Sequence, residues 1–221
     1  MHFDDPHYRR IESTGTFDGH HSHAPRSALE RDLARNCLGL IDSLASLRLL
    51  LSIPRDLDAQ DLLGQSMRVL LRSHEVTRCS VFVLRAGLLT CAAGASLGDA
   101  GAGLRDDTGP IGPPRTFRLG EGIMGHAALE RVTLCVRDVR GEPRYLAIDS
   151  CPRPPRALVC VPLLSGPRVL GVLNVSYPDP RNWAPWQQQI FELYGQVIAE
   201  RLGFDPRAPT QVIIPVRPGI P

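Results

Sequence analysis

Between Leu33 and Leu51 the apolar residues Leu33, Cys37, Leu40, Leu44, Leu47 and Leu51 recur at alternating intervals of four and three. That spacing predicts a helix with a heptad seam. Ser27 and Glu30 can close a capping box at its start, and Pro54 breaks it at the far end. A stripe this narrow asks for another helix as its partner. The chain's own domain can supply one, and so can a second copy of the chain, in parallel or antiparallel pairing.

Further along, Asp58 can cap a second helix, "AQDLLGQSMRVLLRSH", whose Leu62, Leu63, Met67, Leu70 and Leu71 form a broad apolar face. The stretch "CSVFVLRAGLLTCAAG" reads as a hairpin around Arg85, Ala86 and Gly87. Residues 95–116 are rich in glycine, proline and aspartate and read as a long loop. In "FRLGEGIMGHAAL", Gly120, Gly122 and Gly125 lead into Ile123, Met124, Ala127, Ala128 and Leu129, a turn feeding a helix. "VTLCVRDV" reads as a strand and "GEPRYLAIDSCPRPPR" as an irregular segment with a turn of helix. "ALVCVPLLSGPRVLGVLNVSYPD" reads as two strands turning at Ser165, Gly166 and Pro167. A last helix spans about 182–202, with Ile190, Leu193, Tyr194, Val197, Ile198 and Leu202 on one face. The prolines of residues 203–221 make that tail extended.

Composition adds limits. The chain has 221 residues, 43% of them hydrophobic and 22% charged, the profile of an ordinary globular protein with one domain and extensions. All 25 basic residues are arginine, scattered along the chain, and the net charge is +2, so nothing points to nucleic acid. No apolar run approaches a membrane span and the first residues lack the apolar core of a signal peptide, which places the expected location in the cytoplasm, with no membrane partner.

Candidate chemistry is sparse. The glycine turn lacks the Lys-Ser/Thr ending of a phosphate loop, and Met124 and His126 stand where the lysine belongs. Cys37, Cys79, Cys91, Cys135, Cys151 and Cys160 contain no C-x-x-C pair, so they point to neither structural zinc nor a disulfide framework. His7, His20, His21 and His23 lie in the polar residues 1–26, which read as a disordered tail, although "DGHHSHAP" has donors for a metal. Asp138, Asp149 and Tyr145 sit among glycines and prolines, where carboxylates usually cap turns, and they are assigned to structure. The one group with chemical promise is Cys151 in "CPRPPR": Arg153 and Arg156 nearby can favour its thiolate and make it selectively oxidisable. On the second strand of the last hairpin, Val172, Asn174 and Ser176 share a face, and Leu158 and Cys160 lie on the strand before it. A buried amide such as Asn174 calls for either a local bond or a ligand.

The order helix, hairpin, long loop, "GEGIMGHA", "VRDVRGEPRY", "RALVCVPLLSGPRVLGVLNVSYPDP", helix resembles a GAF domain, the small-molecule sensor module of signalling proteins. The resemblance covers residues 57–202, after a helix at 27–53. It implies an α+β fold: a central antiparallel sheet of five to six strands, terminal helices on one face and a ligand pocket on the other. It implies a pocket lined by Met124, Tyr145, Leu158, Cys160, Asn174 and Ser176, below the helix that starts at Ile123.

Some members of the family reduce free methionine sulfoxide, and Cys151 matches the position of their catalytic cysteine. The second cysteine of that pattern is replaced by Met124, and its acidic pocket positions fall on Leu158, Asn174 and Ser176. The expectation is therefore a sensor without enzymatic activity, with no catalytic residue, no metal and no nameable cofactor. A sulfoxide reductase, or a thiol or haem redox sensor using Cys151, is the alternative. The sensor would form a homodimer through helices 27–53 and 182–202. No output domain follows residue 221, so the signal would pass to a separate effector protein, or the chain is part of something longer.

Overall fold

The computed structural model describes residues 28–72, 76–97, 104–106, 116–147 and 154–203. The N-terminal tail with its histidines, all but Gly203 of the C-terminal tail, Asp149 and Cys151 lie outside these residues. In chain order the elements are α1 (Ala28–Ser52), α2 (Ala59–Leu71), β1 (Arg78–Arg85), β2 (Leu88–Leu97), β3 (Leu104–Asp106), β4 (Thr116–Arg118), α3 (Gly122–Glu130), β5 (Leu134–Val136), β6 (Ala157–Ser165), β7 (Arg168–Tyr177) and α4 (Pro185–Gly203). A short 3-10 turn, Val139–Gly141, follows β5.

The fold is α+β. The strands form one antiparallel sheet in the order β3-β2-β1-β7-β6-β5, with the three-residue β4 pairing on β2 near its hairpin end. Two tight hairpins build most of it. Between β1 and β2, Ala86 and Gly87 both take positive φ, 49° and 79°, the primed turn whose twist matches that of the strands. Between β6 and β7, Gly166 adopts φ 56° directly before Pro167. The central pairing of β1 with β7 joins the two hairpins, with Cys79 opposite Val175 and Val81 opposite Leu173.

Alternation along the strands divides the interior into two layers. Ala157, Val159, Val161 and Leu163 of β6, with Leu173, Val175 and Tyr177 of β7, face α1, α2 and α4. Leu158, Cys160, Val169 and Val172 face the other way, into a smaller core closed by Ile123, Ala127 and Ala128 of α3. A bulge lies between Leu163 and Leu164, and it lets Val169 and Val172 share a face despite their odd spacing. At Gly171 a Cβ would run into the backbone carbonyl of Phe82, so the two hairpins meet only with glycine there.

Three local readings need adjustment. The stretch 95–116 is not all loop, because β2 continues to Leu97 and β3 pairs Ala95 with Asp106 at the sheet edge. Such pairing is a tertiary event that glycines and aspartates do not announce. "VTLCVRDV" contributes only Leu134–Val136 as strand, since the Asp138 side chain accepts from the backbone N–H of Arg140 at 3.1 Å and turns the chain into the 3-10 turn. The last helix begins at Pro185, where proline's missing N–H is no loss.

Helix α1 packs on its own domain mainly with a stripe other than the leucine seam, of which Leu47 is partly buried against the core. Ser43, Ser46 and Leu50 are buried, as is Ile53 just beyond the helix, whereas Leu33, Leu40, Leu44 and Leu51 are 61%, 39%, 52% and 55% exposed. With Gly39 the buried positions also run at intervals of four and three, one residue out of step with the leucines. Small residues win the inner face because α4 comes close. Trp186 lies over Gly39, where a Cβ would stand 3.1 Å from the indole. Near the other end, Arg201 of α4 donates to the carbonyls of Leu51 and Ile53 at 2.6 and 2.7 Å, satisfying acceptors that a helix end leaves open. The pairings ascend together along both chains, so α1 and α4 run parallel. No described helix is long and apolar enough to cross a membrane.

Candidate functional site

The glycines before α3 have separate mechanical roles. Gly120 and Gly122 take φ +79° and +62°, which only glycine adopts cheaply. Gly125 is packed so that a Cβ would strike the carbonyl of Arg118, and its own carbonyl accepts from Gly120 N–H at 2.9 Å. The result is a folded knot that holds the first turn of α3 over the sheet. Glu121, the residue before the helix, gives its carboxylate to the backbone N–H of Arg118 at 2.7 Å and does not cap that first turn.

Beneath α3 the register of three strands composes a floor. Arg78 of β1 stands opposite Ser176 of β7, which stands opposite Leu158 of β6. One step along, Ser80, Asn174 and Cys160 form the next row. Phe82 and Val172 form the third, where the floor becomes apolar. A cavity of about 80 Å³ lies between this floor and the roof made by Ile123, Met124, Tyr145 and Leu146. Phe82 and Phe117 meet edge to face, 5.6 Å between centroids, as its apolar wall.

The polar atoms of the floor are linked in one direction. The Cys160 thiol donates to Asn174 Oδ1 at 3.5 Å, and Asn174 Nδ2 donates to Ser176 Oγ at 3.4 Å. The amide therefore takes neighbouring side chains as partners, through long bonds that use only part of its capacity. Burial pushes the Cys160 thiol well above the ordinary range, with the neighbouring Cys135 adding to the effect, so it is protonated near neutrality. Cys135 points to the helical side of the sheet and is pushed up to about 11, by burial first and by the Glu192 charge second.

Met124, Tyr145, Leu158, Cys160, Asn174 and Ser176 all border this one cavity. Arg78, Ser80, Phe82 and Phe117 border it too, and were not singled out from the sequence. The alternation Arg78, Ser80, Phe82 puts these three on one face of β1, but it does not say what that face meets. Cys151 lies outside the described residues, but one of its two neighbouring arginines is engaged elsewhere. Arg156 donates to Asp138 at 3.0 Å, and Asp138 also holds Arg140 at 2.8 Å. Those bonds, Arg140 foremost, hold the Asp138 carboxyl well below the usual carboxylate range. Asp138 is thus a turn cap and an ion-pair hub, whereas Tyr145 borders the cavity.

An antiparallel sheet with a glycine-entered helix closing a small mixed-polarity cavity defines a small-molecule sensor or regulatory module. Residues 58–202 match the GAF domain family, and the chain belongs to it. None of the curated proteins matches the sequence. Among solved structures, it is similar to the GAF domain of a phosphoenolpyruvate-protein phosphotransferase from Coxiella burnetii, with a TM-score of 0.61 at 15% identity over 74% of this chain and 94% of that one. A protein from Burkholderia vietnamiensis assigned as a GAF sensor gives 0.55 at 20% identity over 76% and 94%. The free methionine-R-sulfoxide reductase of Neisseria meningitidis, solved with its substrate, gives 0.57 at 18% identity over 76% and 89%.

The last comparison corrects one expectation. The absence of enzymatic activity does not follow, because this same fold carries a reductase in structural neighbours. The physical reason is that a few side chains over a shared floor decide between binding and turnover, and the backbone fold does not.

Proposed function

We propose that this chain is a cytoplasmic signal-transduction domain that binds a small ligand in the cavity under α3 and relays its occupancy through α1 and α4 to an effector protein. The observation that carries this reading is the chain of polar groups, Ser80, Asn174, Ser176 and Arg78, set into a floor that is elsewhere apolar. Buried polar groups are costly without partners, and convergent ones around a cavity are the usual mark of a binding site. The five described cysteines are free thiols, in keeping with a reducing compartment.

The relay uses a second copy of the chain. The seam of Leu33, Leu40, Leu44 and Leu51 remains uncovered beside the α1–α4 contact, and a heptad stripe fits the same stripe of another copy about a two-fold axis. Covering four half-exposed leucines on each of two copies gains about 6–12 kcal/mol, on the scale of the association cost. Floor and relay share a sheet: β6 and β7 face the cavity with one set of side chains and α4 with the other.

The test is a mass spectrum of what the purified full chain releases on denaturation. A small molecule in near-stoichiometric amount, absent from Asn174→Leu, is the expected result. The same molecule retained by that variant would place the ligand elsewhere.

A further inference from the structure

We propose, resting on the reading that a second copy of the chain joins the relay, that the two copies run parallel and that α4 of each lies against α1 of the other, with Ile41 on the partner's Leu193 and Arg48 paired to the partner's Glu200. Each helix carries an exposed apolar residue followed seven positions later by an exposed charge. On α1 these are Ile41, 61% exposed, and Arg48; on α4 they are Leu193, 41% exposed, and Glu200. Seven residues make about two turns, so each pair lies on one side of its helix. The pairs also stand level with each other. Ser43 meets Tyr194 and Leu51 meets Arg201, which puts Ile41 near the level of Leu193 and Arg48 near that of Glu200.

Within one subunit the two pairs cannot meet. Ile41 stands two residues from Ser43, nearly opposite it around the helix, so it faces away from the α4 that Tyr194 brings to Ser43. Arg48 shares that outer side and borders the leucine seam. Among the described residues no ion pair involves Arg48 or Glu200. Glu200 accepts from Gln196 of its own helix at 3.2 Å, a bond that leaves its charge unneutralised.

A two-fold axis along the helices brings each residue to its complement. With the leucine seams in contact, α1 of one copy enters the groove between α1 and α4 of the other. There apolar meets apolar and cation meets anion, the kind of match that fixes register more than it adds affinity. In an antiparallel overlap of the seam, Arg48 falls instead beside the first turn of α4, which holds no acidic residue. The relay is then crossed: α4 packs on β6 and β7 of its own sheet, so a change at one cavity reaches α1 of the other copy.

The experiment uses the full chain. Light scattering and sedimentation read the assembly, and a short bismaleimide reads its orientation through Cys37, an exposed thiol on the seam between Leu33 and Leu40. In the parallel form the two copies of Cys37 face each other, whereas an antiparallel overlap of the seam sets them about 15 Å apart along the axis. The parent chain should give a cross-linked dimer that Cys37→Ser abolishes. Arg48→Glu and Glu200→Arg should each weaken the dimer about ten-fold, because two like-charge contacts replace two ion pairs, and the double variant should recover most of the loss. Circular dichroism confirms that each variant is folded.

A dimer that Cys37 does not cross-link overturns the parallel arrangement. A dimer indifferent to both charge reversals, or one that the double variant does not recover, overturns the crossed contact. In either case the second copy stays in the relay, whereas a monomeric parent chain overturns both.

Discussion

Tyr194 of α4 donates its hydroxyl to the backbone carbonyl of Ser43 on α1 across 2.8 Å, and both residues are fully buried. This bond sits midway along the α1–α4 seam, between the packing of Trp186 on Gly39 and the Arg201 bonds to Leu51 and Ile53. Tyr194→Phe should lower stability by about 1 kcal/mol while retaining the fold, as measured by denaturant titration. Arg201→Ala should speed amide exchange selectively in the last turn of α1. Uniform exchange in that variant would mean that the end of α1 is held by other contacts.

The glycine knot predicts a graded series. Gly125→Ala and Gly171→Ala each place a methyl against backbone and should cost about 3 kcal/mol or more. Gly141→Ala, in open space and without positive φ, should stay within about 0.5 kcal/mol of the parent. Thermal melts of the three variants give the comparison, and equal losses would contradict the packing at Gly125 and Gly171.

The proposed assembly rests on the exposed leucines of α1. Light scattering at tens of micromolar should report a dimer, and Leu40→Glu with Leu44→Glu should yield a monomer with an unchanged circular dichroism spectrum. Both positions are more than a third exposed, so the charges do not enter the domain's own core. A monomeric parent chain would remove the dimer from the proposal.

The two cysteines on β5 and β6 predict an alkaline limit. Burial raises both thiols above their ordinary value near 9, Cys135 to about 11, so the folded chain binds these protons more tightly than the unfolded one. Their contribution to stability is therefore complete below about pH 9; the Cys135 part is lost as the pH rises through about 11, whereas the Cys160 part goes on falling above it. Urea titrations at pH 8, 9.5 and 11 should show the decline, and Cys135→Ala should make it shallower without abolishing it. At pH 8 Cys160 should react with a thiol reagent only as fast as the chain opens, and rapid native labelling would contradict its burial.

Much of the local architecture was legible because its causes are local. Asp58 caps α2 through the N–H of Asp61 at 2.8 Å, a three-residue contact that any reader of the sequence can anticipate. Val172, Asn174 and Ser176 share a face of β7 because strand geometry has a period of two. The glycine turn before α3 was readable for the same reason: Gly120 and Gly122 answer to backbone sterics within a few residues.

Tertiary structure alone decided what came together across the chain. The leucine spacing of α1 was equally fit for the domain or for a second copy. Close approach of α4 chose the stripe of Gly39, Ser43, Ser46 and Leu50 instead, because Trp186 and Tyr194 need small residues beneath them. Arg78 and Ser80 could not be assigned to a cavity from β1 alone. Antiparallel register with β7 brings them beside Ser176 and Asn174, and register is set by the pairing of distant strands. Periodicity along a chain determines which side chains share a face, and long-range packing determines what that face meets.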